Sequence, residues 1–308
     1  MQHFSSLKDV HLSSACLTIG SFDGVHLGHQ ALIQNLIADA AAIGSQPVVL
    51  TFFPHPAVVL RNLQEAYYLS TPEERKQLLF QHGVEIQITQ HFDMDLASVG
   101  ARDFMQMLSN HLGLKRLWVG HDFALGRNRE GNVSRLHAIG KELGYTVEVI
   151  QPVKLDNDII SSSLIRRHLS SAELRDANRL LGRYYSVKGK VVSGDRRGRG
   201  LGFPTANLAP WNQKLLPANG IYATWAVLDG QTLPSVTSIG LRPTFENQST
   251  TPRVETYIFN FDQDIYGQEL EIQFVEFLRP ELRFNSVPAL IIQMNRDVLR
   301  SREVLHAA

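Results

Sequence analysis

The chain has 308 residues, 44% of them hydrophobic and 19% charged, a globular composition with length enough for one large domain or two ordinary ones. Thirty basic residues balance thirty acidic ones, so no global field draws the protein toward nucleic acid or an anionic membrane. Cys16 is the only cysteine, which excludes an internal disulfide and a thiolate-cluster zinc site; no apolar run nears the roughly 20 residues of a membrane span, and the first residues carry no secretory pattern. A cytoplasmic protein is expected, with no nucleic-acid or membrane partner; its oligomeric state is not legible.

In chain order, Ala15-Cys-Leu-Thr-Ile19 reads as a buried strand and leads into Gly20-Ser-Phe-Asp-Gly-Val-His-Leu-Gly-His29. A helix starting near Gly28 follows, with apolar positions at Leu32, Ile33, Leu36 and Ile37. Pro47 to Phe53 is the next strand, stopped by Pro54-His-Pro56; Thr71-Pro-Glu-Glu74 is a capping box opening a helix that closes before Gly83. Strands at Val84 to Thr89, Lys115 to Gly120 and Tyr145 to Ile150 alternate with helices at Ala101 to Leu112 and Val133 to Leu143. This alternation predicts a parallel sheet covered by helices, with ligands beyond the carboxyl ends of the strands. Four polar loops, Gly20 to His29, Phe53 to Pro56, Gly120 to Gly131 and Ser161 to Arg167, all follow predicted strands and so are expected to share one crevice.

Beyond a helix at Ala172 to Leu181 the pattern changes. Tyr185 to Val192, Gly220 to Leu228, Val236 to Ile239, Val254 to Phe261 and Glu269 to Phe277 are strand-like without helices between them, which predicts an antiparallel barrel or sandwich closed by a helix at Val287 to Leu305. The domain boundary is placed at Gly182, giving domains of residues 1–182 and 183–308.

A glycine-spaced strand-to-helix turn leaves backbone N–H groups at a helix N-terminus, where an anion is favoured. His26 and His29 are three apart, share one face of that turn and can each donate to a phosphate oxygen. A metal pair or a helix cap are the other readings; no third ligand is at zinc-site spacing. In the second half, Gly189-Lys-Val-Val-Ser-Gly194 runs on through Gly202-Phe-Pro-Thr-Ala-Asn207 without the Gly-Lys-Ser/Thr of a P-loop or interleaved aromatics for single-stranded nucleic acid; phosphate binding remains the better reading. Thr205 and Asn207, two apart in an extended segment, point the same way and offer two hard oxygens to Mg²⁺, although such residues also make ordinary turns.

The segment Ser21-Phe-Asp-Gly-Val-His-Leu-Gly-His29 resembles the signature of the HxGH nucleotidyltransferase superfamily in the form found in bacterial bifunctional riboflavin kinase/FAD synthetases. The match continues through Thr51-Phe-Phe-Pro-His-Pro56, Val119-Gly-His-Asp-Phe123 and Ile160-Ser-Ser-Ser163 with Ile165-Arg166. In the second half, Gly202-Phe-Pro-Thr-Ala-Asn207 is similar to the flavokinase motif, and the likeness extends through Leu216 to Tyr222, Ile239 to Thr244, Val254-Glu255 and Leu278-Arg-Pro-Glu281.

The resemblance implies an α/β fold: a Rossmann-like nucleotidyltransferase domain with a parallel sheet, then an antiparallel β-barrel flavokinase domain with a C-terminal helix. It implies two ATP-dependent reactions, riboflavin to FMN in the barrel and FMN to FAD with release of pyrophosphate in the α/β domain. By that resemblance His26 and His29 bind the ATP phosphates, Gly20, Ser21, Phe22, Asp23 and Asp122 shape the nucleotide pocket, and Ser161, Ser162, Ser163 and Arg166 hold the transferred group. Phe53, Pro56, Arg242 and Arg279 would contact flavin, Gly194 and Gly202 the kinase ATP, Thr205 and Asn207 both ATP and Mg²⁺, and Glu255 would be the general base. Ser21, Leu125, Ser163, Ser238 and Tyr257 depart from the residues usual in the family, which has Asn, Phe, Thr, Asn and His there. Two alternatives stand beside this: a single-activity nucleotidyltransferase with a regulatory barrel, and a barrel that only binds a macromolecule.

Overall fold

The computed structural model describes residues 1–194, 202–240 and 252–307. They form two compact units, Met1–Ser162 and Ser163–Ala308.

In the first unit the chain runs β1 (Gln2–Phe4), β2 (Ala15–Ile19), α1 (Leu27–Ala42), β3 (Gln46–Phe53), α2 (Pro56–Arg61), α3 (Pro72–Gln81) and β4 (Ile86–His91). It continues with α4 (Met94–Ser98), α5 (Ala101–Leu112), β5 (Leu114–Gly120), the hairpin β6 (Ala124–Leu125) and β7 (Gly131–Asn132), α6 (Val133–Leu143) and β8 (Thr146–Ile150). A second small hairpin, β9 (Lys154–Leu155) and β10 (Asp158–Ile159), precedes the end of the unit. Six strands pair in parallel in the order β1-β4-β3-β2-β5-β8. Successive side chains alternate across a strand, so the sheet feeds two cores. Leu17, Ile19, Val48, Leu50, Ile86 and Ile88 pack with residues of α5 and α6 on one face. Cys16 and Val49 pack with Leu32, Ile33 and Leu36 of α1 and Leu79 of α3 on the other.

From β2 the chain builds outward to β3 and β4 on one side, then returns to β5 and β8 on the other. The reversal lies between β2 and β5, and a crevice at the carboxyl end of such a reversal is where open α/β sheets take ligands. The loop 20–29 follows β2 directly. Several short elements of this unit are absent from the sequence reading, β1 and α2 among them. β1 is only three residues long, too short for a period, and α2 is a six-residue helix whose cap is His55, where Pro54-His-Pro56 reads as a simple strand stop.

The second unit opens with α7 (Ser162–Ser170, beginning on the last residue of the first unit) and α8 (Leu174–Leu181). Asn178 fastens α8 to the barrel, its Nδ2 donating to Phe274 O at 2.9 Å and its Oδ1 accepting from Tyr185 N at 2.7 Å. The strands are β11 (Tyr185–Val192), β12 (Ala206–Pro210), β13 (Gly220–Leu228), β14 (Gln231–Gly240), β15 (Arg253–Ile258) and β16 (Glu269–Arg279), followed by α9 (Val287–His306). They close as an antiparallel barrel in the order β11-β12-β15-β14-β13-β16, with β16 pairing back onto β11. Closure leaves no sheet edge to protect. The sequence Ala206 to Pro210 gives no strand pattern, but its backbone pairs with both β11 and β15. Inside the barrel Thr224, Ser235, Thr237 and Thr256 are fully buried, and their hydroxyls satisfy one another at 2.8 to 2.9 Å.

Candidate active sites

In the first unit the turn from β2 to α1 is the most constrained backbone near the switch point. Phe22 (φ 46°), Gly24 (φ 80°) and Val25 (φ 39°) are all left-handed; for a β-branched valine this is an outlier, and such strain concentrates at functional sites. Asp23 is fully buried and holds the turn against the 69–70 segment, accepting from Leu69 N, Ser70 N and Ser70 Oγ at 3.0 to 3.1 Å. Its backbone oxygen accepts from Ser162 Oγ at 2.9 Å, which brings the 161–162 segment to this loop.

His26 is the N-cap of α1, its Nδ1 accepting from His29 N at 3.3 Å. Capping and phosphate binding, alternatives in the sequence, are therefore compatible, because the cap occupies one ring nitrogen and the ring has two. The two imidazoles stack with centroids 3.6 Å apart, and Phe22 leans on His29 at 5.0 Å. Burial, with His26 beside it, holds His29 well below its ordinary value of 6.5, so its ring is neutral at pH 7. His29 Nδ1 is buried and has no hydrogen-bond partner. A buried polar atom of that kind, at the positive end of a 16-residue helix, is suited to an incoming anion.

The other expected positions divide. Gly20 N donates to Leu50 O at 3.1 Å, and Ser21 O accepts from Thr51 Oγ1, so the ends of β2 and β3 are joined. Phe53 lies 6.0 Å from the ring of Tyr68, and Pro56 is the first residue of α2. Asp122 differs: its side chain is 84% exposed, and its backbone oxygen accepts from Arg129 in its own loop. Ser163 and Arg166 lie on α7 in the second unit.

In the second unit two cavities adjoin at Thr205. One, of about 330 Å³, is lined by Thr205, Ser238, Glu255, Tyr257, Arg279 and Glu281 among others. The second, of about 400 Å³, takes Thr205 and Ala206 with Thr256, Asp262, Asp264 and Tyr266. Asn207 lies across the ladder from Glu255, and Glu255 across from Ser238, so the three share one face of the sheet. A Cβ on Gly194 would run into the side-chain amide of Asn207, so the amide packs directly against this glycine. Gly202 is left-handed at φ 85°. Arg242 lies outside the described residues.

Arg279 reaches the cavity already paired: its Nε and Nη2 donate to Asp297 at 2.8 and 2.6 Å, and Nη1 donates to Pro280 O at 2.9 Å. Sequence reasoning misses Asp297 of α9, which only folding brings to Arg279. It also assigns no role to Glu281, whose carboxyl burial pushes up against the opposing pull of Arg279.

The first unit thus presents a helix N-terminus carrying a histidine pair, and the second a hydroxyl, Thr205, on two cavities with the carboxylate of Glu255 lining one of them. The FAD synthetase family model matches residues 8–164 and the riboflavin kinase model residues 181–305. The chain is 38% identical to a bifunctional riboflavin kinase/FMN adenylyltransferase of Listeria monocytogenes over 91% of this chain and 89% of the relative. It is 35% identical to the Escherichia coli protein of the same name, over 97% and 95%. A crystal structure described as a macrolide-efflux protein from Streptococcus pneumoniae matches with a TM-score of 0.89 at 29% identity, covering 98% of each chain. Among the described residues here, no helix is long and apolar enough to cross a membrane. The chain belongs to the bifunctional riboflavin kinase/FMN adenylyltransferase family.

Proposed function

We propose that the protein makes FMN from riboflavin and ATP in its barrel unit, and FAD and pyrophosphate from FMN and ATP in its α/β unit, as a soluble cytoplasmic enzyme. The functional boundary falls near Gly182, so that α7 with Ser163 and Arg166 serves the adenylyl reaction. The observation that carries the reading is Thr205, which lines both barrel cavities and so stands where a phosphate donor and a hydroxyl acceptor can meet.

In the kinase step, flavin occupies the cavity beside Tyr257 and Arg279, and ATP the cavity beside Thr256. Glu255 accepts the proton of the ribityl hydroxyl as its oxygen attacks the γ-phosphorus, and ADP leaves. Thr205 and Asn207 supply oxygen donors suited to Mg²⁺, and Gly194, lacking a Cβ, lets the Asn207 amide lie directly against its backbone. The ion, when bound, would neutralise phosphate charge. Gly194 and Gly202 let the backbone approach the nucleotide.

In the adenylyl step, an FMN phosphate oxygen attacks the α-phosphorus of ATP and pyrophosphate leaves. His26 and His29 hold the phosphates at the α1 N-terminus, and Ser161, Ser162, Ser163 and Arg166 stabilise the transferred group. Gly20, Ser21, Phe22, Asp23 and Asp122 shape the nucleotide pocket; Phe53 and Pro56 contact the flavin, and Arg242, outside the described residues, is assigned to the flavin of the barrel reaction by the resemblance alone. Neither reaction needs a covalent enzyme intermediate, since positioning and charge compensation suffice. Incubation with riboflavin, ATP and Mg²⁺ tests the reading: FMN should appear first and FAD after it. Accumulation of FMN with no FAD, or no FMN at all, would refute it.

A further inference from the structure

The segment from Tyr68 to Arg75 grips the back of both loops that the adenylyl step uses. Tyr68 Oη accepts from His55 N at 2.8 Å on the flavin side, while Leu69 and Ser70 donate to Asp23 on the nucleotide side. Arg75, on α3, ends this run. It is 1% exposed, and its guanidinium donates to Ser21 O at 3.0 Å and to Phe52 O at 3.3 Å. Those carbonyls belong to different segments: Ser21 begins the turn into the histidine pair, and Phe52 lies at the end of β3, one residue before the Phe53 to Pro56 loop. A rigid planar fork can hold two acceptors at a fixed separation, which a point charge cannot.

We propose that Arg75 is a positioning residue for adenylyl transfer: by bridging Ser21 O and Phe52 O it sets the spacing between the phosphate-binding loop and the flavin-side loop. Burial disfavours its charge, and the neighbouring Asp23 and Tyr68 favour it. Substrate binding by each loop alone does not require this bridge; their mutual alignment does. The inference rests on the assignment of these loops to the adenylyl site.

The test uses the full chain carrying Arg75→Lys, which keeps the charge but loses the fork. Misalignment of reacting groups lowers turnover, so kcat for FAD formation from supplied FMN should fall roughly 10- to 100-fold while each KM moves less than about threefold. Riboflavin phosphorylation should hold within about twofold, since a mutation in one unit leaves the other's geometry alone. Lower thermal stability with unchanged kcat, or loss of both activities together, would overturn the proposal. Thr51→Val provides a second arm, because Thr51 Oγ1 has a single hydrogen, donated to Ser21 O, and so cannot bridge to Phe52 O. It should cost clearly less kcat than Arg75→Lys; an equal loss would count against a bridging role. His29→Ala separates the underlying assignment: if that variant makes FAD normally, the loop has been misread, whereas a defective His29→Ala beside a normal Arg75→Lys rejects only the role of Arg75.

Discussion

Glu255 and Asn207 face each other across the β12–β15 ladder. Directly opposed side chains on one face lie within about 5.5 Å at Cβ, so the proposed base and a proposed metal donor are neighbours by backbone register rather than by side-chain reach. Glu255→Gln keeps the shape and removes the proton acceptor. FMN formation should fall by roughly 10² to 10⁴, the usual contribution of general base catalysis. FAD formation from supplied FMN should be unchanged. Retained kinase turnover would reject the base assignment.

His29→Ala should give the reverse pattern. The ring stacked on His26 and its unpaired Nδ1 are removed, so FAD synthesis should drop by about 10²-fold, the scale of losing one transition-state donor. Riboflavin phosphorylation in the same preparation is the control.

His29 also predicts a pH dependence of stability. Its folded-state value is held below 6.5 by burial and by His26, whereas in the unfolded chain it returns to about 6.5. Above that pH the ring is neutral in both states. As pH falls below it, only the unfolded chain takes up the proton, so the first unit loses up to about 1.4 kcal/mol per pH unit until the folded value is reached. Thermal melts at falling pH should show this slope, and His29→Asn should flatten it.

Gly194→Ala places a methyl against the Asn207 amide. The amide must turn away, with an overpacking cost of about 1 to 3 kcal/mol. The KM for ATP in the kinase step should rise about tenfold, the equivalent of 1.4 kcal/mol. An unchanged KM would show that Asn207 does not face the nucleotide.

Asp297→Ala leaves Arg279 without its two-point partner in a mostly buried site. Removing one member of such a pair costs about 3 kcal/mol, because the remaining charge is uncompensated. The barrel should melt earlier and bind riboflavin more weakly; Asp297→Asn, which still accepts a hydrogen bond, should lose less.

Much of this is legible along the chain because it depends on local order. The alternation around β2 to β8, the capping box at Thr71 and Glu74, and the glycine-spaced turn into His26 and His29 each lie within a short window, where periodicity and capping chemistry act. Other features have no local signal. β1 pairs with β4 from more than 80 residues away, and β12 is a strand because β11 and β15 flank it, not because Ala206 to Pro210 alternate. Asp297 reaches Arg279 only when α9 packs on the barrel, and Arg75, an ordinary arginine in a helix sequence, becomes a bridge only when β2 and β3 end side by side. Local order along the chain thus suffices for the two fold patterns, the family likeness and the residue types on offer at each site. Which carbonyls, carboxylates and hydroxyls meet is settled by folding, because those contacts join distant segments whose register and burial no local pattern specifies.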